Sequence, residues 1–175
     1  PGSFILKGKT NSRKHLWQTQ MFARDKYAVI PIWLRLMDDT LMSDQGIVIR
    51  EYIKLKQLHS NGQPLFQITE QPITEEYRFF ILNKQIIGSG FYWANCGDEI
   101  DETVNPYQVP LEYIEQVINH VSNAMPELNF FVIDIARTDS GHWMVVELND
   151  GQMSGLSCID PYQFYENIRL LMDDM

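Results

Sequence analysis

The chain has 175 residues, enough for one domain or for two small lobes sharing a cleft. Apolar residues make up 45%, so a core can form and wholesale disorder is excluded. The formal net charge of -9 and isoelectric point near 4.8 repel phosphate backbones. Broad nucleic-acid binding is thereby excluded, while one small nucleotide held by local cations and metals is not.

In chain order, residues 4–7 read as a short apolar strand, and residues 8–12 (GKTNS) as a polar loop. The abrupt start on an apolar strand suggests a truncated or split protein. A helical turn follows over residues 13–22. Pro31 fits the first turn of a helix, with Ile30, Leu34, Met37 and Leu41 at helical spacing. Gly46 ends it, and residues 47–55 (IVIREYIKL) alternate as a strand. Residues 76–82 and 86–93 form a hairpin through Asn83-Lys84-Gln85. Residues 98–102 read as a solvated acidic loop. Pro110 opens the clearest helix, with Ile114, Val117, Ile118, Val121 and Met125 on one stripe. Residues 129–135 and 142–149 form a second hairpin across Asp139-Ser140-Gly141. Asp160 and Pro161 cap and open a last helix whose Phe164, Ile168 and Leu171 face inward. Hairpins mixed with helices argue an α+β fold.

Cys96 and Cys158 lie too far apart to form a disulfide framework and read as reduced thiols of an intracellular, cytoplasmic protein. No run of about 18 apolar residues spans a membrane, and the N-terminus carries no signal peptide.

The second hairpin holds the most telling chemistry. Strict alternation places Trp143, Val145, Glu147 and Asn149 on one face of its return strand, and Met144, Val146 and Leu148 on the other. A tight turn brings Asp134 opposite residues 145–147, so Asp134, Glu147 and Asn149 meet on one surface. Two carboxylates and an amide oxygen are hard ligands that suit Mg²⁺ and leave positions for phosphate and water. A pair of acids on a solvated face fits the same pattern.

Residues 132–156 (VIDIARTDSGHWMVVELNDGQMSGL) resemble the last hairpin of the ATP-grasp superfamily, with an acid on one strand and E-x-N on the next. Residues 76–93 (EYRFFILNKQIIGSGFYW) and the ELNDGQ ending are most similar to a clade of small predicted amide ligases of phages and bacteria. Where that family often has a Pro-Gly turn after E-x-N, this chain has Asp150-Gly151-Gln152. The resemblance implies an ATP-grasp-like α+β fold of two small lobes of antiparallel strands and helices enclosing a nucleotide cleft. Residues 1–57 would form the N-terminal lobe up to the hinge, and residues 58–175 the C-terminal lobe with the metal hairpin. It also implies an upstream domain or second chain that completes the site.

The implied cofactors are ATP and Mg²⁺, the metal on Asp134, Glu147 and Asn149. Lys7 ends an apolar strand beside a polar loop, from which it could reach α- and β-phosphates with Ser12 nearby, and the resemblance assigns it that role. Residues 8–10 (GKT) are no P-loop, because the first glycine would fall on Ser3. Glu51 shares its alternating face with Ile47, Ile49, Ile53 and Leu55, and an acid there needs a partner, an ion pair with Lys7 being one. The resemblance instead places Glu51, Tyr52 and Ile53 at the adenine edge. It puts Glu76 near the ribose and Arg78 toward the phosphates; Arg78 shares a face with Phe80 and Leu82, so it is not expected to be freely solvated, the alternative being a snorkelling surface arginine. Gln152 and Ser154 lie just past the metal strand and could line an acceptor site. Tyr92, Trp93 and Trp143 read as core or cleft wall.

The function so implied is Mg-ATP-dependent carboxylate–amine ligation through an acylphosphate, acting on small-molecule or peptide acids and amines, with no nucleic acid or membrane as partner. The alternatives are a non-catalytic nucleotide-binding or interaction module derived from an ATP-grasp domain, and a structural domain with a coincidental E-x-N.

Overall fold

The computed structural model describes residues 2–9, 12–67, 70–94 and 100–173. Cys96, the start of the acidic loop at Asp98, and Thr10 and Asn11 of the polar loop lie outside these. The chain divides into two compact units, Pro1–Lys54 with Pro64–Ile73, and Leu55–Gln63 with Thr74–Met175.

The first unit is built on β1 (Phe4–Gly8), flanked by β2 (Phe22–Ala23) and β3 (Ile47–Glu51) in the antiparallel order β2-β1-β3. Between β1 and β2 a 3₁₀ turn, Lys14–Leu16, runs into a π-helical turn, Trp17–Met21. Helix α1 (Lys26–Met37) begins five residues before Pro31, because Asp25 is the N-cap and its carboxylate accepts the backbone N–H groups of Tyr27 and Ala28. Pro31 therefore sits inside the helix, where it has no N–H to return to the preceding turn. A short α2 (Thr40–Ser43) follows, capped by Asp39, which also pairs with Arg13. Leu6, Ala23, Ile32, Leu36 and Met42 pack as the core on one face of the sheet, and Ile5, Trp17 and Met21 on the other. Within the same unit, residues 64–67 and 70–73 are joined by the Ile73 N–H to the Leu65 C=O and by a Phe66–Pro72 bridge.

The second unit opens with the small hairpin β4 (His59–Ser60) and β5 (Gln63–Pro64). Asp101 clamps its turn by accepting the backbone N–H groups of Asn61 and Gly62, both at 2.8 Å. Those bonds hold its carboxyl below the ordinary range. The acidic loop is thus partly a structural clip rather than a simply solvated connection.

The main sheet has the antiparallel order β7-β6-β8-β9, from β6 (Glu76–Leu82), β7 (Gln85–Phe91), β8 (Phe130–Arg137) and β9 (Trp143–Asp150). The β6–β7 turn is Asn83-Lys84, both at positive φ, the conformation that matches the strands' twist in a two-residue turn. Tyr77, Phe79, Ile81, Phe131, Ile133 and Ile135 are buried on one face. Ile114, Ile118 and Val121 of α3 (Leu111–Ala124) are also buried. Burial pushes the Tyr77 phenol up to about 12, so it stays protonated and accepts the Asn105 N–H. On the other face Phe80, Ile87 and Val132 pack with Ile159 and with Phe164 of α4 (Pro161–Asp173).

That second packing needs Gly88 and Gly90 of β7. A Cβ on Gly90 would lie 2.9 Å from Ile159 Cγ1 and 3.1 Å from the Cys158 backbone. Gly90→Ala should therefore destabilise the protein by about 1–3 kcal/mol, as overpacking does, in urea denaturation. An unchanged midpoint would show that residues 158–159 yield freely.

Candidate functional site

One row of side chains crosses three strands of the main sheet. Arg78 on β6 is the register partner of Asp134 on β8, and Asp134 is the partner of Glu147 on β9. Directly paired residues of antiparallel strands project to the same side. Two positions along, Glu76 and Asn149 project to that side as well, by the period of two. The structure thus gathers Glu76, Arg78, Asp134, Glu147 and Asn149 on one face of one sheet.

A β-bulge makes this possible. The register runs Asp134–Glu147 and then Ile135–Val145, so Val146 has no opposite number. Strict alternation does not hold through β9. Val145 pairs with Ile135 and Trp143 with Arg137 on the buried face, where the Trp143 ring lies 6.1 Å from that of Tyr77. Glu147 and Asn149 face the opposite way, with Met144. The extra residue lets one strand give its aromatic and aliphatic side chains to the core and its E-x-N to the site.

Arg78 and Asp134 form a buried, bidentate pair. Nε donates to Oδ1 and Nη2 to Oδ2, each at 2.8 Å, and Asp134 is 0% exposed. This fork-to-fork geometry is the strong form of the arginine–carboxylate bond. Nη1 donates to the Gly155 carbonyl at 2.8 Å, and the guanidinium stacks on Tyr92 with 4.8 Å to the ring centroid. Burial acts to pull the guanidinium pKa down, but the Asp134 hydrogen bonds and charge outweigh it, and the net shift is upward. Arg78 is therefore permanently charged and not a solvated surface arginine. Tyr92 and Gly155 are site neighbours that sequence patterns did not single out; a turn carbonyl leaves no compositional trace, and Tyr92 read only as wall.

The remaining candidates are placed as follows. Glu76 is buried, with the Thr74 hydroxyl 3.4 Å from Oε2. Gln152 and Ser154 lie in the turn after β9, where the Asp150 carboxylate accepts the Gln152 N–H at 2.6 Å and Ser154 Oγ donates to the Asp150 carbonyl at 2.8 Å.

Lys7, Ser12, Glu51, Tyr52 and Ile53 belong to the first unit. Lys7 pairs with Val48 and shares a face with Ile5, whereas Glu51 pairs with Phe4 on the opposite face. An ion pair between Lys7 and Glu51 is thereby excluded. Glu51 is exposed, as are Ile49 and Ile53, so its face at this end of β3 is open rather than apolar and closed. Ser12 is half-buried. The Tyr52 ring lies edge-on to Phe22 at 5.1 Å and to Trp17 at 6.3 Å, and its N–H bonds the Ser3 carbonyl, which anchors the backbone of residues 51–53.

A further buried acid, Glu75, directly precedes β6. Glu75 is 2% exposed, bonds Lys56 Nζ at 2.8 Å and lies 3.9 Å from Arg137 Nη1. Among the described residues no group of three or more His, Cys, Asp or Glu side chains gathers as a metal site. The Asp134, Glu147 and Asn149 set has two carboxylates and one amide, oxygen donors of the kind Mg²⁺ takes, with both Asp134 oxygens engaged by Arg78 in this structure.

Residues 1–168 match a family described as an ATP-grasp domain, the third family of its clade. The chain belongs to that family. The ATP-grasp resemblance of the 76–93 and 132–156 hairpins is thus carried by almost the whole sequence. No curated protein matches it. Among solved structures, the ATP-grasp ligase PsnB complexed with minimal precursor is similar at TM-score 0.50 and 13% identity, over 99% of this chain and 48% of that one. The D-cycloserine synthetase DcsG is similar at TM-score 0.48 and 13% identity, over 97% and 55%. The macrocyclase MdnB from Microcystis aeruginosa is similar at TM-score 0.34 and 18% identity, over 71% and 37%. The chain thus spans about half the length of the structures it matches. No described helix is long and apolar enough to cross a membrane.

The buried pair generates a sharp stability test. Arg78→Leu should cost about 3–5 kcal/mol in urea denaturation, because it leaves Asp134 charged and unpaired in the core. The double variant Arg78→Leu/Asp134→Leu should recover most of that loss. A double variant as weak as the single one would show that the pair is not the source of the effect.

Proposed function

We propose that this chain is the nucleotide- and metal-binding part of a carboxylate–amine ligase that uses Mg-ATP and an acylphosphate. The observation that supports this best is the row Arg78–Asp134–Glu147 with Asn149 on the same face, in a chain of the ATP-grasp family. Asp134, Glu147 and Asn149 would hold Mg²⁺, which when bound offsets charge on the β- and γ-phosphates. Arg78 is assigned to the transferring phosphoryl group and Glu76 to the ribose. In the first unit, Lys7 and Ser12 are assigned to the α- and β-phosphates, and the backbone of Glu51, Tyr52 and Ile53, anchored by the Tyr52 ring, to the adenine edge. Gln152 and Ser154 are assigned to the acceptor.

A substrate carboxylate oxygen attacks the γ-phosphorus and ADP leaves. An amine nitrogen then attacks the acyl carbon, the phosphate leaves, and the amine loses a proton. The net products are an amide, ADP and phosphate. Arg78 needs no proton transfer for its part, since its charge is fixed. The acids and amines are small molecules or peptides, and a second chain or further domain completes the site.

One observation favours a second reading, a module that binds nucleotide without turnover. Every guanidinium nitrogen of Arg78 already donates to a protein acceptor, as in a structural core pair. Calorimetric titration of ATP with and without Mg²⁺ tests the shared part of both readings. Glu147→Gln should abolish the metal-dependent component of binding and leave the fold intact. Absence of binding at millimolar ATP, or a metal-dependent component unchanged in the variant, would sink the assignment. ADP release with a panel of acids and amines separates ligase from module.

A further inference from the structure

The hairpin β4–β5 turns on Asn61 and Gly62, the one Asn-Gly step in the sequence. Both residues take positive φ, 52° and 72°, as the two-residue turn favoured by this pair requires. Both are exposed, and a side chain on Gly62 would meet nothing within 4 Å, so the step is open to water. An asparagine before a glycine carries a latent reaction. The glycine's backbone nitrogen, once it gives up its proton, can attack the asparagine Cγ. The new N–C bond closes a five-membered imide, and the side-chain nitrogen leaves as ammonia. Water then adds to one of the two imide carbonyls and opens the ring. The products are aspartate or isoaspartate, the latter with the main chain routed through the side chain. Glycine is the permissive neighbour because it has no Cβ to block the approach.

In this fold the nitrogen that would attack is occupied. Gly62 N–H donates to Asp101 Oδ2 and Asn61 N–H to Oδ1, each at 2.8 Å. Asp101 is anchored in turn, its own N–H donating to the His59 carbonyl at 2.9 Å. Hydrogen bonds to an ionised acceptor are the strong ones. Taking the proton from Gly62 would forfeit such a bond and set a nitrogen anion against a carboxylate. Ring closure would also have to turn Asn61 out of the left-handed conformation that the two bonds hold. The clip therefore opposes both the ionisation and the geometry that the reaction needs.

We propose that Asn61-Gly62 is a deamidation site and that Asp101 is the residue that holds it unreactive. Conversion opposes its own reversal of the damage: a carboxylate at position 61 stands near that of Asp101, and isoaspartate lengthens the turn by one main-chain carbon. Either product loosens the clip. The inference concerns the β4–β5 turn and its acid, and stands whether or not the chain ligates.

Incubation of the full chain at mildly alkaline pH tests this, with aspartate and isoaspartate at position 61 followed by peptide mass mapping. Asp101→Ala should convert position 61 about 10-fold faster than the wild type or more, the loss of a charge-assisted hydrogen bond read as a rate. Asp101 is exposed, so the substitution leaves the core untouched, and a urea midpoint checks the fold. Amide hydrogen exchange of the unmodified wild type gives a measurement that needs no variant. There the Gly62 N–H should exchange at least about 10-fold more slowly than in the urea-unfolded chain. Equal conversion rates in the wild type and a folded Asp101→Ala overturn the proposal, as does a Gly62 N–H that exchanges at the unfolded rate.

Discussion

The pair formed by Arg78 and Asp134 sets the terms for the rest of the second unit. A carboxylate with no exposed surface can persist as an anion only if a cation and hydrogen bonds replace the water it has lost. Arg78 supplies both, and this fixes neighbouring features in turn. The guanidinium must be planar to the carboxylate, which requires β6 and β8 to be in the register they have. Its third nitrogen needs an acceptor, which draws the Gly155 carbonyl to it. Its face needs a lid that does not compete for hydrogen bonds, and the Tyr92 ring provides one.

Beside this pair, Glu147 brings a further acidic side chain onto the same side of the sheet. With Glu76 and Asp134, that makes three carboxylates on this face, of which Asp134 is matched by the Arg78 guanidinium. The bulge at Val146 is what allows Glu147 to sit there without pulling Trp143 and Val145 out of the core. Chemistry and packing use the same strand, and the irregularity keeps them apart.

Much of this was legible in the sequence. Asn83-Lys84, Asp139-Ser140-Gly141 and Asp160-Pro161 mark turns and a cap by conformational preferences that hold in any context. They delimit the two hairpins and the last helix, and with them the juxtaposition of residue 134 with residues 145–147. Other features escaped for physical reasons. A bulge adds a residue without altering composition, so alternation alone misassigns Trp143 and Val145. Pro31 suggested a helix start, but Asp25 satisfies the free N–H groups earlier and starts the helix there. Glu51 sits on a strand pattern that reads as apolar, yet β3 has a neighbour on one side only and its face is open at that end. Periodicity also finds an amphipathic helix without saying which of its sides the rest of the chain covers, and α1 has an apolar residue set on each.

The hydrogen bond from Arg78 to Gly155 joins the buried guanidinium to the turn that follows the E-x-N strand. The Gly155 carbonyl and the Asp134 carboxylate compete with any incoming anion for the same guanidinium. A ligand that draws Arg78 toward itself must therefore loosen residues 151–155, and a ligand that grips those residues must alter the affinity at Arg78. Thermodynamic reciprocity makes the two effects equal in magnitude. One shared donor would thus couple any ligand held at Arg78 to the turn after β9 without a moving domain.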